Sequence, residues 1–453
     1  MQRADSDARP QTSYNSARMS ETLSPIPPDY VRVESKLEGI TVYAPAPPAE
    51  QIPDARDFKC PNCGATTAYS PRAASVTCAN CGSIYTLQSE NVGRQAAEFE
   101  FTLDAVKHAQ TATPQQLRGW GVTRRDLRCE NCGATVSVAP TELATTCPFC
   151  GSNRVAARTA APDAFRPRVL IPFQIEREAC VQLARAWLAR GWFYPSDLVH
   201  AARGAQFTGI YLPFWTFSAR VHSAWRAQVG REKREQYFDM GEMKFKTRTR
   251  LEWNWEQGKI SLPFNDELQS GTRRIDASLL KRLAPYHLHA LVTYDPGFLA
   301  GWRAQSYEIG LNEAWDAARG NMREIARAAC LEQIDSRHIR NFSMNAAFDD
   351  EAWRFILLPA YLATYRFAGK THQIAINGQT GQVAGEKPVA WLKVWLAVGA
   401  LTLPGILLAS AAALLGALRF QTGGWFVLGL ILFVVGAALA AALLHRATRA
   451  QDA

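Results

Sequence analysis

The sequence predicts a multidomain protein: two small β zinc ribbons, a mixed α+β domain, and a C-terminal two-helix transmembrane hairpin. Three observations lead there. Four Cys-x-x-Cys pairs fall within residues 60–150, the stretch 165–388 mixes helical and strand periodicities, and two long runs near the end contain no charged residue.

Composition sets the frame. A chain of 453 residues has room for roughly two to four domains. Its net charge of +9 is unevenly placed: residues 1–165 hold 16 Lys and Arg against 17 Asp and Glu, and the remainder holds 34 against 24. Basic surface therefore lies outside the cysteine-rich part. Residues 1–50 carry charges and seven prolines where a secretory signal needs an apolar core. Eight of the ten cysteines sit in Cys-x-x-Cys pairs, the usage of a reducing compartment rather than of a disulfide framework. The soluble part reads as cytoplasmic.

Residues 1–57, rich in Pro, Ser, Ala and charge ("SPIPPDY", "APAPPAE"), read as a disordered leader. The first ribbon is expected over 58–90 and the second over 128–160, with a linker at 91–127 that holds a short strand or helix. Their metal ligands form two sets: Cys60, Cys63, Cys78 and Cys81, then Cys129, Cys132, Cys147 and Cys150. Four thiolates close a tetrahedral zinc site at Zn–S distances of about 2.3 Å and leave no position for water, so such a site is structural. Two Zn2+ per chain follow, with iron or redox-active cysteines as the alternatives for this spacing. Gly64, Gly82, Gly133 and Gly151 follow the second cysteine of each pair, where the knuckle turns most tightly. Residues 59–83 and 128–152 align without gaps and match at 12 of 25 positions, Asn62/Asn131 and Pro71/Pro140 among them. That points to duplication of one module. Each ribbon has too little core to fold without its ion, so loss of one ion is expected to leave the other ribbon intact.

Over 165–388 the elements alternate. "IEREACVQLARAWLARG" places Cys180, Leu183, Ala184, Trp187 and Leu188 on one helical face and stops at Gly191. "LNEAWDAARGNMREIARAACLEQI" does the same with Trp315, Ala318, Met322, Ile325 and Ala329, behind an Asn312 cap. In "MKFKTRTRLEWNWE", Met243, Phe245, Leu251, Trp253 and Trp255 alternate with Lys244, Lys246, Arg248 and Arg250, the pattern of a half-buried strand. The basic side, Lys244–Arg250, reads as a solvated face, with lipid head groups or a nucleic-acid backbone as alternative contacts. "HQIAINGQTGQVAG" reads as a hairpin turning at Asn377-Gly378. "GIYLPFWTFSARV" (209–221) and "FILLPAYLATYRF" (355–367) share four of thirteen residues, making Trp215 equivalent to Tyr361 and Ser218 to Thr364. An internal duplication of this domain is the expectation they raise. The unpaired Cys180 and Cys330 read as buried small hydrophobes, and His287-x-His289 has no third ligand nearby.

The apolar runs Val394–Leu418 and Trp425–Leu444 each reach the about 20 residues needed to cross a ~30 Å hydrocarbon slab as a helix. A transmembrane hairpin is expected over 391–446, with Trp391, Trp395 and Trp425 near the interfaces. Lys387 and Lys393 precede the first run, Arg446 and Arg449 follow the second, and only Arg419 lies between. Both chain ends then face the cytoplasm.

Phosphate loops, His-Glu-x-x-His and Gly-x-Ser-x-Gly do not occur, so no catalytic residue is assigned. The order of ribbon, ribbon, "VLIPFQI", "GIYLPFWTFSA", "YDPGFLAGWRAQSYEIGL", "LLPAYLATYRFAGKTHQIAINGQTGQVAGEKP" and a hydrophobic end resembles a bacterial zinc-ribbon family. Its members carry labels such as transcription-factor-IIB-type zinc ribbon protein, or primosomal protein N′ (replication factor Y)-like superfamily II helicase. The resemblance covers roughly residues 58–395 and implies no catalytic residue to carry over; with the apolar hairpin it places the chain in a bacterial inner membrane. The helicase label rests on the ribbons, since the chain carries no motor.

The expected function is a membrane-anchored zinc-ribbon binding or scaffold protein, not an enzyme. It would engage a protein partner at the cytoplasmic face of the inner membrane, in contact with its lipid. A membrane-tethered nucleic-acid-binding protein without helicase activity is the alternative. The 1–165 half nets to −1, and Tyr69, Tyr85 and Phe149 are nearly the only rings near the ribbons, which favours a protein over a nucleic acid on the ribbon surface.

Overall fold

A computed structural model describes residues 30–33, 42–45, 58–96, 98–100, 125–138, 146–158, 165, 167–201, 205–417 and 423–452. They belong to two compact units, Met1–Pro53 and Asp54–Ala453. In the first, Tyr30–Val33 pairs antiparallel with Val42–Pro45. These short β-branched runs are hidden in a Pro-rich average, so the disordered leader expected over 1–57 needs correction there. The rest of it lies outside the described residues. The linker expected over 91–127 shows a turn at Gly93–Gln95 and a strand at Phe99–Glu100, and residues 101–124 also lie outside the described set.

The second unit is built on two long strands, Thr208–Asp239 and His338–Phe367, paired antiparallel from Thr208↔Leu362 to Gly230↔His338. "IYLPFWTF" and "FILLPAY" lack polar alternation because both faces of this pair are covered. Tyr211, Trp215, Phe217, Leu357 and Tyr361 face one core, completed by helices Arg177–Leu188 and Leu311–Glu332 and by Tyr69 of the first cysteine module. Ile210, Leu212, Phe214, Ile356 and Leu358 face the other, completed by helix Ala277–Leu283 and by Val136, Val138 and Phe149 of the second. The second module even joins the sheet: Ser137 pairs with Ala304, and Arg303–Ala304 pairs parallel with Ile210–Tyr211. The ribbons expected as separate domains are thus built into the α+β unit. Each module has one apolar side and is too small to bury it alone, so it covers a face of the sheet instead.

The matching strand segments meet matching surroundings. Leu212 lies opposite Leu358, so the two runs are related by a local two-fold. Trp215 Nε1 donates to Ile309 O at 2.9 Å, and Tyr361 OH to Ile175 O at 2.6 Å. Gly271 N donates to Pro213 O and Gly378 N to Pro359 O, both at 2.9 Å. The carbonyl of Gly271 accepts from the amides of Glu308 and Ile309, as that of Gly378 does from Gln174 and Ile175.

Beyond this core the first hairpin continues as an arm. Strands Thr208–Asp239 and Lys244–Ser270 stay paired as far as Asp239↔Lys244, well past the last contact with the third strand at Gly230↔His338. Helix Leu311–Glu332 covers one side only as far as Trp225, Ala227 and Val229, through Cys330 and Ile334. The alternation read in "MKFKTRTRLEWNWE" holds in register, with Phe238 opposite Phe245 and Tyr237 opposite Lys246. Burial does not follow it: Met243 is 72% exposed and Phe245 75%. The half-buried strand is an exposed one, because no core reaches this far.

Three local expectations also change. Helix Leu311–Glu332 starts after Gly310, so Asn312 lies inside its first turn and caps nothing. Its buried face runs through Leu311, Trp315, Ala318, Met322, Ala326 and Cys330, and the spacing of four after Ala318 leaves Ile325 exposed. The hairpin at Asn377 turns through 378–382, with Gly381 at φ 77. The Asn377 amide is buried, donating to Leu283 O and Pro285 O and accepting from the amides of Gln379 and Thr380.

At the C-terminal end, helices Trp391–Ala417 and Gly423–Asp452 are long and apolar enough to cross a membrane. They run antiparallel, Gly405 against Phe433 and Gly429 against Ala409. A Cβ at Gly405 or Gly429 would sit 2.4 or 2.5 Å from the opposing backbone. Small residues of this kind let apolar helices approach closely without a water-driven core.

Candidate metal centres

All four knuckles fold alike. Gly64 N donates to Cys60 O, Gly82 N to Cys78 O, Gly133 N to Cys129 O and Gly151 N to Cys147 O, at 2.7–3.0 Å. The four glycines hold φ between 69 and 73°, a left-handed conformation in which a side chain is strained. This turn swings the second cysteine back beside the first.

Two knuckles then converge in each module, bringing together all eight predicted cysteines in their two predicted sets, with every Sγ within 4.8 Å of the others in its set. Cys60–Cys81 is 3.4 Å, Cys63–Cys78 3.5 Å, and Cys129–Cys150 and Cys132–Cys147 3.6 Å. A tetrahedron with bonds of about 2.3 Å has edges of about 3.8 Å, so the donors already approximate a metal's ligand shell. They stand too far apart for disulfides, which need about 2.05 Å. Each cluster can hold one metal ion.

A second layer tunes the sulfurs. The Tyr85 hydroxyl lies 3.1 Å from Cys60 Sγ and, with knuckle amides, lowers that thiol to about 6. Ser83 Oγ sits 3.1 Å from Cys81 Sγ, lowers its pKa, and accepts from Asn62 Nδ2 at 2.7 Å. Burial raises Cys150, but the Asn131 side chain and Ser152 amide outweigh it and bring the thiol to about 7. Metals bind thiolates, so these groups favour the metal-binding form of Cys60, Cys81 and Cys150, whereas burial pushes the Cys132 and Cys147 thiols up. Asn62/Asn131 and Ser83/Ser152 were visible as matched positions in the repeat. Tyr85 was not, since Arg154 occupies its place in the second module.

Both modules are fastened down. Trp302 Nε1 donates to Tyr69 O and Tyr69 N to Ala300 O, both at 3.0 Å, so "DPGFLAGW" is the seat of the first module. Arg274, paired with Glu308 at 2.6 Å, donates to the Cys132 and Gly133 carbonyls of the second. Gln373 donates to Phe149 O, and Gly151 lies so close to Thr364 that a Cβ would be 2.5 Å from its hydroxyl. Cys63 and Cys81 of the first cluster are exposed, whereas the second is more enclosed.

Other candidates carry no metal chemistry. Cys180 and Cys330 are fully buried, and burial pushes the Cys180 thiol up to about 12. His287 and His289 join no metal-binding group among the described residues. Sequence reasoning missed a buried ionic centre: Arg354, 2% exposed, pairs with Asp266 and Glu98 and donates to Thr216 Oγ1 and to the carbonyls of Arg94 and Ala96. It ties the segment after the first module to the sheet.

Fold and sites together define a mixed α/β chain with two four-cysteine clusters and two apolar C-terminal helices. The chain is similar to the uncharacterised protein YdjG of Bacillus subtilis (strain 168), with 25% identity over 348 residues covering 74% of this chain and 91% of that protein. No family model and no solved structure matches it.

Proposed function

We propose that this protein is a membrane-anchored scaffold, stabilised by two zinc ions, whose β arm engages a protein partner at the cytoplasmic face of the bacterial inner membrane. The arm tip carries the reading. Tyr237, Phe238, Met240, Met243 and Phe245 are 40–80% exposed there, at the end of a two-stranded hairpin. Such a hairpin is marginal in water by itself, and clustered exposed hydrophobics mark contact surfaces. Methionines adapt to irregular partners. The apolar sides of the ribbons, by contrast, are occupied within the chain, which moves the partner surface from the ribbons to the arm. No catalytic residue is assigned.

Four sulfurs in a near-tetrahedral set favour zinc. The two apolar helices, flanked by Lys387, Lys393, Arg446 and Arg449, support a hairpin with both chain ends cytoplasmic. The equivalent bonds of Trp215 and Tyr361 support a duplicated core, with the arm as an elaboration of its first copy.

A nucleic-acid reading has its own observation: residues 231–250 hold seven basic and four acidic side chains, interleaved with Tyr237, Phe238 and Phe245. Much of that charge is already engaged. Lys246 pairs with Asp239 and Glu242, Arg248 with Glu235, Arg231 with Glu256 and Lys233 with Glu252. Few cations remain to displace counterions from phosphates, so a protein is favoured.

The test replaces Phe238 and Phe245 by serine in the full-length chain, with a photo-crosslinker at Met243. Zinc content and thermal midpoint should stay unchanged, since these rings touch no core, while the crosslinked partner band is lost. A band of equal strength in the double variant contradicts the arm as partner site; binding of oligonucleotides that weakens with salt would favour the alternative. For topology, a reporter active only in the periplasm should be silent when fused after Ala453 and active when fused near Gly423. The reverse pattern contradicts the orientation.

A further inference from the structure

The short hairpin of His338–Phe367 and Lys370–Asn377 turns through Ala368 and Gly369, both at positive φ, and beside this turn lies a cavity of about 430 Å3. Phe367, Lys370, His372, Glu386, Lys387 and Trp391 line it. Its place in the chain is specific: Trp391 is the first residue of the first apolar helix. That helix is fixed to the folded unit, because Ala390 N donates to Phe193 O at 2.9 Å and Lys393 Nζ to Tyr194 O at 2.8 Å. The same loop presents Trp192, 55% exposed. Indoles and lysines at the mouth of an apolar helix sit at the level of lipid head groups.

We propose that this cavity binds the phosphate of an anionic phospholipid head group. Two lysines, Lys370 and Lys387, are among its lining residues, with the single carboxylate of Glu386, which is itself held 3.3 Å from His372 Nδ1. Lys387 is rigid: it lies over the rings of Trp187 and Tyr194 at 4.1 and 4.7 Å and donates to the carbonyls of Trp187 and Arg190. Burial, and then Arg190, push its ammonium down to about 8, and an anion in the cavity would counter both effects. Lys370, exposed at the lip, supplies the second charge. The volume falls within the range of about 300–1,000 Å3 of small-ligand sites, and basic pockets at the cytoplasmic ends of membrane helices suit anionic head groups. The proposal rests on the reading that Trp391–Ala417 enters the membrane.

The experiment follows thermal unfolding of full-length protein in neutral detergent with dihexanoyl phosphatidylglycerol, dihexanoyl phosphatidylcholine or glycerol 3-phosphate. The phosphatidylglycerol should raise the midpoint saturably, as a ligand of the native state does, and the other two should not. Lys370→Glu should shift the half-saturating concentration by roughly tenfold or more, a loss of about 1.4 kcal/mol, and Lys370→Arg should retain the response. Equal responses to both lipids, or an unchanged response in Lys370→Glu, overturns the site; a glycerol 3-phosphate response equal to that of the lipid overturns the lipid as its source. Membrane fractionation separates the two readings. Recovery of the chain in the soluble fraction refutes the spanning helices, whereas a membrane-bound chain without a selective lipid response refutes the head-group site alone.

Discussion

Cys147→Ser in the full-length chain is expected to collapse the core sheet, not only the second cysteine module. Cys147 is 3% exposed, and its module supplies Val136, Val138 and Phe149 to the core that covers Ile210, Leu212, Ile356 and Leu358. Metal binding to a four-thiolate site is worth on the order of 10 kcal/mol of folding energy. That is comparable to the whole stability of an ordinary domain, about 5–15 kcal/mol. Urea unfolding followed by tryptophan fluorescence should therefore show the buried Trp215, Trp302 and Trp315 exposed at little or no denaturant. Free-standing ribbons, in which loss of one ion leaves the other ribbon intact, would instead give a nearly unchanged main transition. Cys63→Ser should do less harm, because Cys63 is exposed and its module joins the fold mainly through Tyr69 and the seat at 295–302.

Arg354→Ala should cost about 3–5 kcal/mol, the usual penalty for leaving a buried charge without its partner. The carboxylate left behind is Asp266, whose side chain is 4% exposed and which sits at φ 60 in a bulge of its own strand opposite Ser218. The carbonyls of Arg94 and Ala96 lose their donor as well. Chemical denaturation of the variant measures the loss. Adding Asp266→Asn should recover part of it, since removing the orphaned charge removes most of its desolvation penalty. A double variant no better than the single one contradicts the ionic account of this site.

The cysteine clusters were legible because metal ligation imposes short, fixed spacings and a glycine after each knuckle. What the modules lean on was not legible, since an apolar patch such as Tyr69 or Phe149 looks the same in a free-standing ribbon and in a docked one. The arm escaped for a related reason. Alternation in 243–255 reports a strand, but whether Met243 and Phe245 meet a core or a partner depends on where Leu311–Glu332 ends. Trp215 and Tyr361 stood out as matched positions, whereas their acceptors Ile309 and Ile175 did not, because 302–310 and 168–176 share little beyond that isoleucine. Nothing in the sequence singles out Arg354, since a buried arginine is recognised only by partners that lie far apart in the chain.

The account stands most directly on metal stoichiometry. Elemental analysis of the full-length protein, purified in detergent without added metal, should return two zinc ions per chain, one on Cys60, Cys63, Cys78 and Cys81 and one on Cys129, Cys132, Cys147 and Cys150. One equivalent or fewer, or iron in place of zinc, would contradict it.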